Sequence, residues 1–325
     1  MTDSPAGRYP CDMHCHTVRS DGNDTPQELI DNAALLGLYA IAITDHDVPP
    51  PAELLLADGA SVAIVASAAR RGVRLVLGYE FSCDTNVDDV HICGYGLDWE
   101  HPDLTAEVAA AKRSKSEAYE ELCRRLTALG MPLDWESDVL HYTRPDGANA
   151  VRDPDEVQRK HIFEAMAARG HARSWSEAKL LVRDNPKLNV SRRKIDPREA
   201  VALIHRCGGV AVLAHPYLID ETVSVAGQPD RSRARYVNAI LDTGLDGIEA
   251  SYSYDKTTYK GSLAPEEIAG RVRHDYAGRV RFFSGGSDYH ADHKKGAKQV
   301  RFLGERGIGV DEFQTAFGQF SISKE

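Results

Sequence analysis

The chain has no C-x-x-C pair: its six cysteines, Cys11, Cys15, Cys83, Cys93, Cys123 and Cys207, are scattered over 325 residues. That spacing offers neither a zinc ribbon nor a small disulfide framework, and it suits reduced, mostly buried thiols. No run approaches the ~20 apolar residues of a membrane span, and the polar stretch Met1 to Pro10 lacks the apolar core of a secretion signal. A cytoplasmic location is expected. Positive charge is in deficit, with 39 Lys and Arg against 49 Asp and Glu and a formal net charge of -10. A broad basic face for long nucleic acid is therefore not expected, while a small anionic substrate held by local charge or metal is compatible with the balance. Internal repeats, low-complexity tracts, a Gly-x-Ser-x-Gly elbow and a Walker-type phosphate loop are missing too. What is present is an ordinary globular composition, 42% apolar and 27% charged, enough for one large domain with an insertion.

Strand-like and helix-like segments alternate at the start. Cys11 to His16 reads as a short strand. Thr25-Pro26-Gln27-Glu28 then supplies an N-cap, a proline at the first helical position and a capping-box glutamate, and Gly37 closes that helix. Tyr39 to Thr44 is a strand, about Asp58 to Arg71 a helix, and Val73 to Ser82 and Val90 to Tyr95 are strands. This order implies a parallel sheet or barrel. Between residues 104 and 189 polar helical stretches dominate, such as Thr105 to Leu129 and Glu156 to Arg169, and read as an inserted helical cap. Alternation then returns: helix Asp196 to Arg206, strand Gly209 to Ala214, helix Arg231 to Leu241, strand Gly247 to Ser251, a helix from Pro265 and strand Val280 to Ser284. Beyond His293 the pattern carries only a helix near Asp311 to Phe317. The expected division is a barrel of residues 1–103 and 190–325 with a cap of 104–189.

Metal-ligating residue types recur at the ends of these apolar strands. Asp12, His14 and His16 alternate along the first and should share a face. Ala40 to Thr44 ends in Asp45-His46, Leu75 to Tyr79 in Glu80, Val210 to Ala214 in His215-Pro216, and Val280 to Ser284 runs on into Ser287-Asp288-Tyr289-His290. In parallel α/β folds such ends converge on one rim, where active sites are built. Singly, each is as well explained by a core or surface role. Together they exceed the four ligands of a closed structural zinc, and point to an open, multinuclear catalytic site for Mn, Zn, Fe or Mg. The other histidines, His101, His141, His161, His171, His205, His274 and His293, follow no such rule and read as structural or solvated, as do Asp84, Asp88 and Asp89.

The motifs Asp12-Met13-His14-Cys15-His16-Thr17 through Ser20-Asp21-Gly22, Ile43-Thr44-Asp45-His46, Gly78-Tyr79-Glu80, His91, Ala214-His215-Pro216 and Gly286-Ser287-Asp288-Tyr289-His290 together resemble the PHP (polymerase and histidinol phosphatase) family of metal-dependent phosphoesterases, in its TrpH-like branch. The resemblance implies an α/β fold, a distorted seven-stranded (β/α) barrel with a helical cap insertion. It implies two to three divalent ions, Mn favoured: the first on His14, His16, Glu80 and Asp288, the second on Glu80, His91 and His215, the third on Asp21, His46 and His290. Glu80, Asp288 and His290 would serve catalysis directly, and Asp12 and Asp45 would orient the imidazoles. Gln158-Arg159-Lys160-His161 departs from the Gly-Arg and Pro-His pattern of many relatives, but retains the Arg and His. Arg159, His161 and Arg192 are the candidate substrate residues.

The implied activity is hydrolysis of phosphate from nucleotides by metal-bound hydroxide, with nucleoside 3',5'-bisphosphates and the 5' ends of short oligoribonucleotides as substrates. The alternatives are a histidinol-phosphate phosphatase and a non-catalytic metal-binding regulatory module. A degenerate module would have lost ligands, and here every expected position is filled.

Overall fold

A computed structural model describes residues 8–55, 59–143, 147–295 and 299–320. Asp58, expected to open a helix, and residues 1–7 of the polar N-terminus lie outside them. The chain divides into two compact units: Met1–Thr105 with Ile195–Glu325, and Ala106–Lys194. The second unit runs past the expected end at 189, so Arg192 belongs to it.

In the first unit seven strands form one sheet in chain order: β1 (Cys11–Asp12), β2 (Ala40–Ile43), β3 (Arg74–Ser82), β4 (His91–Tyr95), β5 (Val210–Leu213), β6 (Gly247–Ser251) and β7 (Phe282–Gly285). The sheet curls into a nearly closed barrel. Met13 N donates to Gly285 O at 3.1 Å, His16 N donates to Tyr289 O at 2.8 Å, and Cys15 bridges Tyr289 in parallel, so the chain after β1 meets the chain after β7. Gly286 permits this approach, since a Cβ there would lie 2.3 Å from His14 Cβ.

Three expectations are corrected. The sheet is mixed: β4 runs antiparallel to both β3 and β5, because the short connection Cys83 to Val90 makes a hairpin where a parallel step would need a crossover. The first strand is two residues long, and beyond Asp12 the chain keeps only isolated backbone bonds to its neighbours, such as Met13 N to Gly285 O. The second helix begins at Ile64, preceded by a small hairpin of Glu53–Leu55 with Ser61–Ala63.

Alternation sorts the strand residues into two cores. Ala40, Ala42, Val76, Cys93, Tyr95, Val210 and Val212 pack inside with Phe313 and Phe317 of a C-terminal helix, Val310–Phe317. Ile41, Ile43 and Leu75 face outward onto α1 (Pro26–Leu35) and α2 (Ile64–Arg70), burying Leu29, Ile30, Ile64 and Ala68. Strands covered on both faces explain the unbroken apolar runs of β2 and β5. Helix α1 starts where the capping box predicts, with Thr25 Oγ1 accepting from Glu28 N and the Glu28 carboxylate from Thr25 N.

The second unit is helical, with α3 (Pro102–Ala128) entering it, then α4 (Arg159–Ala168) and α5 (Trp175–Arg183) around Leu122, Leu126, Ile162, Phe163 and Met166. It also holds a strand pair that the polar pattern hides, His141–Thr143 with Asn149–Val151. Among the described residues no helix is long and apolar enough to cross a membrane.

Candidate metal centre

His14 and His16 follow β1, His46 follows β2, Glu80 lies in the last third of β3, His215 follows β5, and Asp288 and His290 follow β7. These positions share one end of the barrel. His91 reaches the same rim from the other direction: β4 is antiparallel and His91 pairs with Ser82, so the first residue of β4 stands beside the last of β3.

Glu80 is fully buried at the centre. Its Oε2 lies 3.2 Å from His14 Nε2, 3.2 Å from His16 Nε2 and 3.0 Å from His46 Nδ1. Its Oε1 lies 2.9 Å from His91 Nδ1 and 3.2 Å from His215 Nε2. Asp288 Oδ1 is 3.0 Å from His16 Nε2 and 3.6 Å from His14 Nε2, and His290 Nε2 is 3.1 Å from Asp21 Oδ1. Among the described residues, the sets with ligand atoms within 4.8 Å of one another are His14, His16 and Asp288; His46, Glu80 and His91; His16, Asp21, His46 and His290; and His14, Glu80 and Cys93.

The chemistry of these atoms fits cations. His14 Nε2, His16 Nε2, His46 Nδ1 and Glu80 Oε2 are buried without a hydrogen-bond partner, a costly arrangement that a shared ion would relieve. The outer ring atoms are engaged in a way that sets the tautomers. His290 Nδ1 faces the Asp288 carbonyl at 2.8 Å, and His14 Nδ1 faces Glu249 Oε1 at 3.3 Å. Both partners only accept, so Nδ1 carries the proton and Nε2 presents a lone pair. Ser20 Oγ donates to Asp45 at 2.6 Å and can accept from His16 Nδ1 at 3.4 Å, with the same result. Burial opposes charge on His16, but Asp288 and Glu80 outweigh it and bring its pKa up to about 10, so a cation would displace the proton on Nε2 to reach that lone pair. Burial takes His91 down to about 4, leaving it neutral at pH 7. Burial would raise Asp288, yet Arg301 and the histidines hold it well below the usual carboxylate range.

A family profile for the PHP domain matches residues 12–174, about half of the chain. The chain belongs to the PHP family. Among curated relatives, a 3',5'-nucleoside bisphosphate phosphatase of Chromobacterium violaceum is 30% identical over 289 residues, spanning 86% of this chain and 87% of that one. A 5'-3' exoribonuclease of Haemophilus influenzae is 30% identical over 206 residues, or 63% of this chain and 68% of its own. The crystal structure of a protein described as a metal-dependent phosphoesterase, from Bifidobacterium adolescentis, superposes with a TM-score of 0.70 at 24% identity over 99% of each chain, and agrees with the PHP fold seen here.

Inside this PHP barrel some roles differ from the sequence reading. Asp12 touches no imidazole. It accepts from Ser287 Oγ and N, Gly304 N and His14 N, fastening the β7 loop to β1, and burial pushes its pKa up to about 6. Asp45 holds Thr17 and Ser20 and reaches His16 only through Ser20. The carboxylate that orients ligands directly is Glu249, which sequence reasoning missed: Oε1 faces His14 and Oε2 accepts from His215 N at 2.8 Å. Its signal was an acid in mid-strand, in Gly247 to Ser251. Cys93, also missed, lies one inward position below His91. Of the histidines read as structural, His205 pairs with Asp246 at 2.8 Å and His171 Nε2 donates to Pro132 O at 2.8 Å.

Arg159 is the exposed first residue of α4 and Arg192 is half-buried, both in the second unit. His161, on the first turn of α4, accepts from Gln158 N at Nδ1 over 3.0 Å. Burial, together with Arg152, Lys160 and Lys115, pushes its pKa down to about 3, so it is a neutral donor at Nε2.

Proposed function

We propose that this chain is a metal-dependent hydrolase of phosphoric esters that removes phosphate from nucleotides, nucleoside 3',5'-bisphosphates foremost and the 5' ends of short oligoribonucleotides besides. The observation that carries the reading is the division of labour in Glu80, whose Oε2 faces one group of imidazoles and whose Oε1 faces another. A carboxylate shared in this way suits two neighbouring cations. Two to three divalent ions would be held, the first by His14, His16, Glu80 and Asp288, the second by Glu80, His91 and His215, the third by Asp21, His46 and His290. Nitrogen and oxygen donors suit Mn, Zn, Fe or Mg, and we favour Mn. When bound, such ions supply an acidic water and neutralise charge on the phosphoryl oxygens.

The chain's own residues do the rest. Glu249, Ser20 and the Asp288 carbonyl fix His14, His16 and His290 with Nε2 inward. Solvent reaches the cluster at Asp21, half exposed, and His46, a quarter exposed, whereas Glu80 and His16 are sealed. Substrate therefore approaches over Asp21 and His46. Arg159, His161 and Arg192 are assigned to a second phosphate, a role suited to the guanidinium fork and to a neutral imidazole donor. Free, buried cysteines, all six among the described residues, suit a reducing cytoplasm.

The deciding experiment measures phosphate release from adenosine 3',5'-bisphosphate, AMP, a short 5'-phosphorylated RNA and histidinol phosphate, with Mn and with chelator. Preference for the bisphosphate or the RNA, abolished by chelator, is expected. Preference for histidinol phosphate overturns the substrate assignment, and metal-independent turnover overturns the centre.

A further inference from the structure

The carboxylate of Asp288 is engaged at both ends. Oδ1 points at His14 and His16, while Oδ2 accepts from Arg301 Nη1 at 2.6 Å and from Tyr252 OH at 2.7 Å. Arg301 also spans Asp292, with Nε 2.8 Å from Oδ2 and Nη2 3.3 Å from Oδ1. These partners are sheltered: the Arg301 side chain is 15% exposed and Tyr252 is fully buried. The backbone between the two carboxylates takes positive φ, +55° at Asp288, which aspartate tolerates, and +51° at Ala291, which is strained.

We infer that Arg301 is a positioning residue of the metal centre: with Tyr252 it locks Asp288 Oδ2, so that Asp288 gives a single oxygen, Oδ1, to the ion of His14 and His16. This rests on the metal-centre reading above. Two donors on Oδ2 keep the carboxylate from turning to chelate with both oxygens. A planar fork bridging Asp288 and Asp292 fixes the loop that carries them, which a lysine's point charge would not do. By drawing on the charge of Asp288, Arg301 leaves the ion more of its own positive charge, and so a stronger pull on oxygen ligands.

The test compares wild type with Arg301→Gln, Arg301→Lys and Tyr252→Phe as full chains, stripped with chelator and titrated with cobalt(II) by calorimetry and visible absorption. Arg301→Gln is expected to keep wild-type circular dichroism in chelator, to bind cobalt about 10- to 100-fold more weakly at the affected site, and to show an altered cobalt spectrum as Asp288 becomes free to chelate. Arg301→Lys should recover part of the affinity but not the spectrum, and Tyr252→Phe should shift both by less. Wild-type affinity and spectrum in Arg301→Gln overturn the positioning role and leave the centre standing. A wild type that takes up no cobalt overturns the centre and the role with it. If Arg301→Gln fails to fold in chelator, Tyr252→Phe decides, and an unchanged spectrum there overturns the role.

Discussion

The barrel rim and the inserted unit are stabilised in opposite ways. The rim buries charge: Glu80, Asp288, His14, His16 and His215 are all buried, and several atoms of the cluster satisfy no hydrogen bond. The inserted unit buries hydrocarbon around Leu122, Leu126, Ile162 and Met166 and keeps ion pairs such as Arg173–Glu177 and Arg183–Asp184 outside. Without cations a cluster like the rim adds little net stability, because its pairing is offset by the cost of desolvating charge and leaves several atoms without a hydrogen bond. It persists because the closed barrel around it fixes the backbone. Stability is given up where ions are handled and recovered elsewhere.

That contrast can be broken from either side. Glu80→Gln should have the largest effect, lowering kcat/KM by about 10²–10³-fold with loss of bound metal, read by steady-state kinetics and elemental analysis; retained metal and activity would erase the distinction. Leu126→Ala in the inserted unit should do the reverse, costing about 2–5 kcal/mol by chemical denaturation while metal content stays at the wild-type level.

A smaller effect is expected at Asp246, a buried acid of the barrel away from the rim. Burial would raise its pKa, but Ala211 N, His205 and Arg281 lower it below the ordinary carboxylate value. The folded pKa is depressed, so its contribution is complete above an unfolded value of about 4 and is lost as pH falls through the lower folded value. Denaturation of wild type and Asp246→Asn from pH 6 down to pH 3 should show a gap that narrows with acid; a constant gap sinks this account. Least of all, Arg173→Ala should leave the denaturation midpoint within error, since the pair is exposed.

Much of this was legible in the sequence because local rules set it. The capping box at Thr25 starts α1, the apolar runs of β2 and β5 are strands covered on both faces, and His46, Glu80, His215 and Asp288 could be picked out as strand-end donors. The role of Asp12 was misread because a two-residue strand does not keep alternate residues on one face. Arg301 was invisible: it acts on a carboxylate 13 positions earlier in the chain, whose spare oxygen no pattern announces.

By itself, the sequence determined where the strands of the main sheet lie, where the first helix begins, and which residue types can ligate metal, since period, caps and side-chain chemistry are properties of short stretches. Only the tertiary structure decided that β4 runs backwards and so sets His91 beside Glu80, that Glu249 rather than Asp12 orients the rings, and that each oxygen of Glu80 and Asp288 has its own partners. Those facts depend on strand direction and on contacts between residues far apart in the chain, which arise only when the sheet closes.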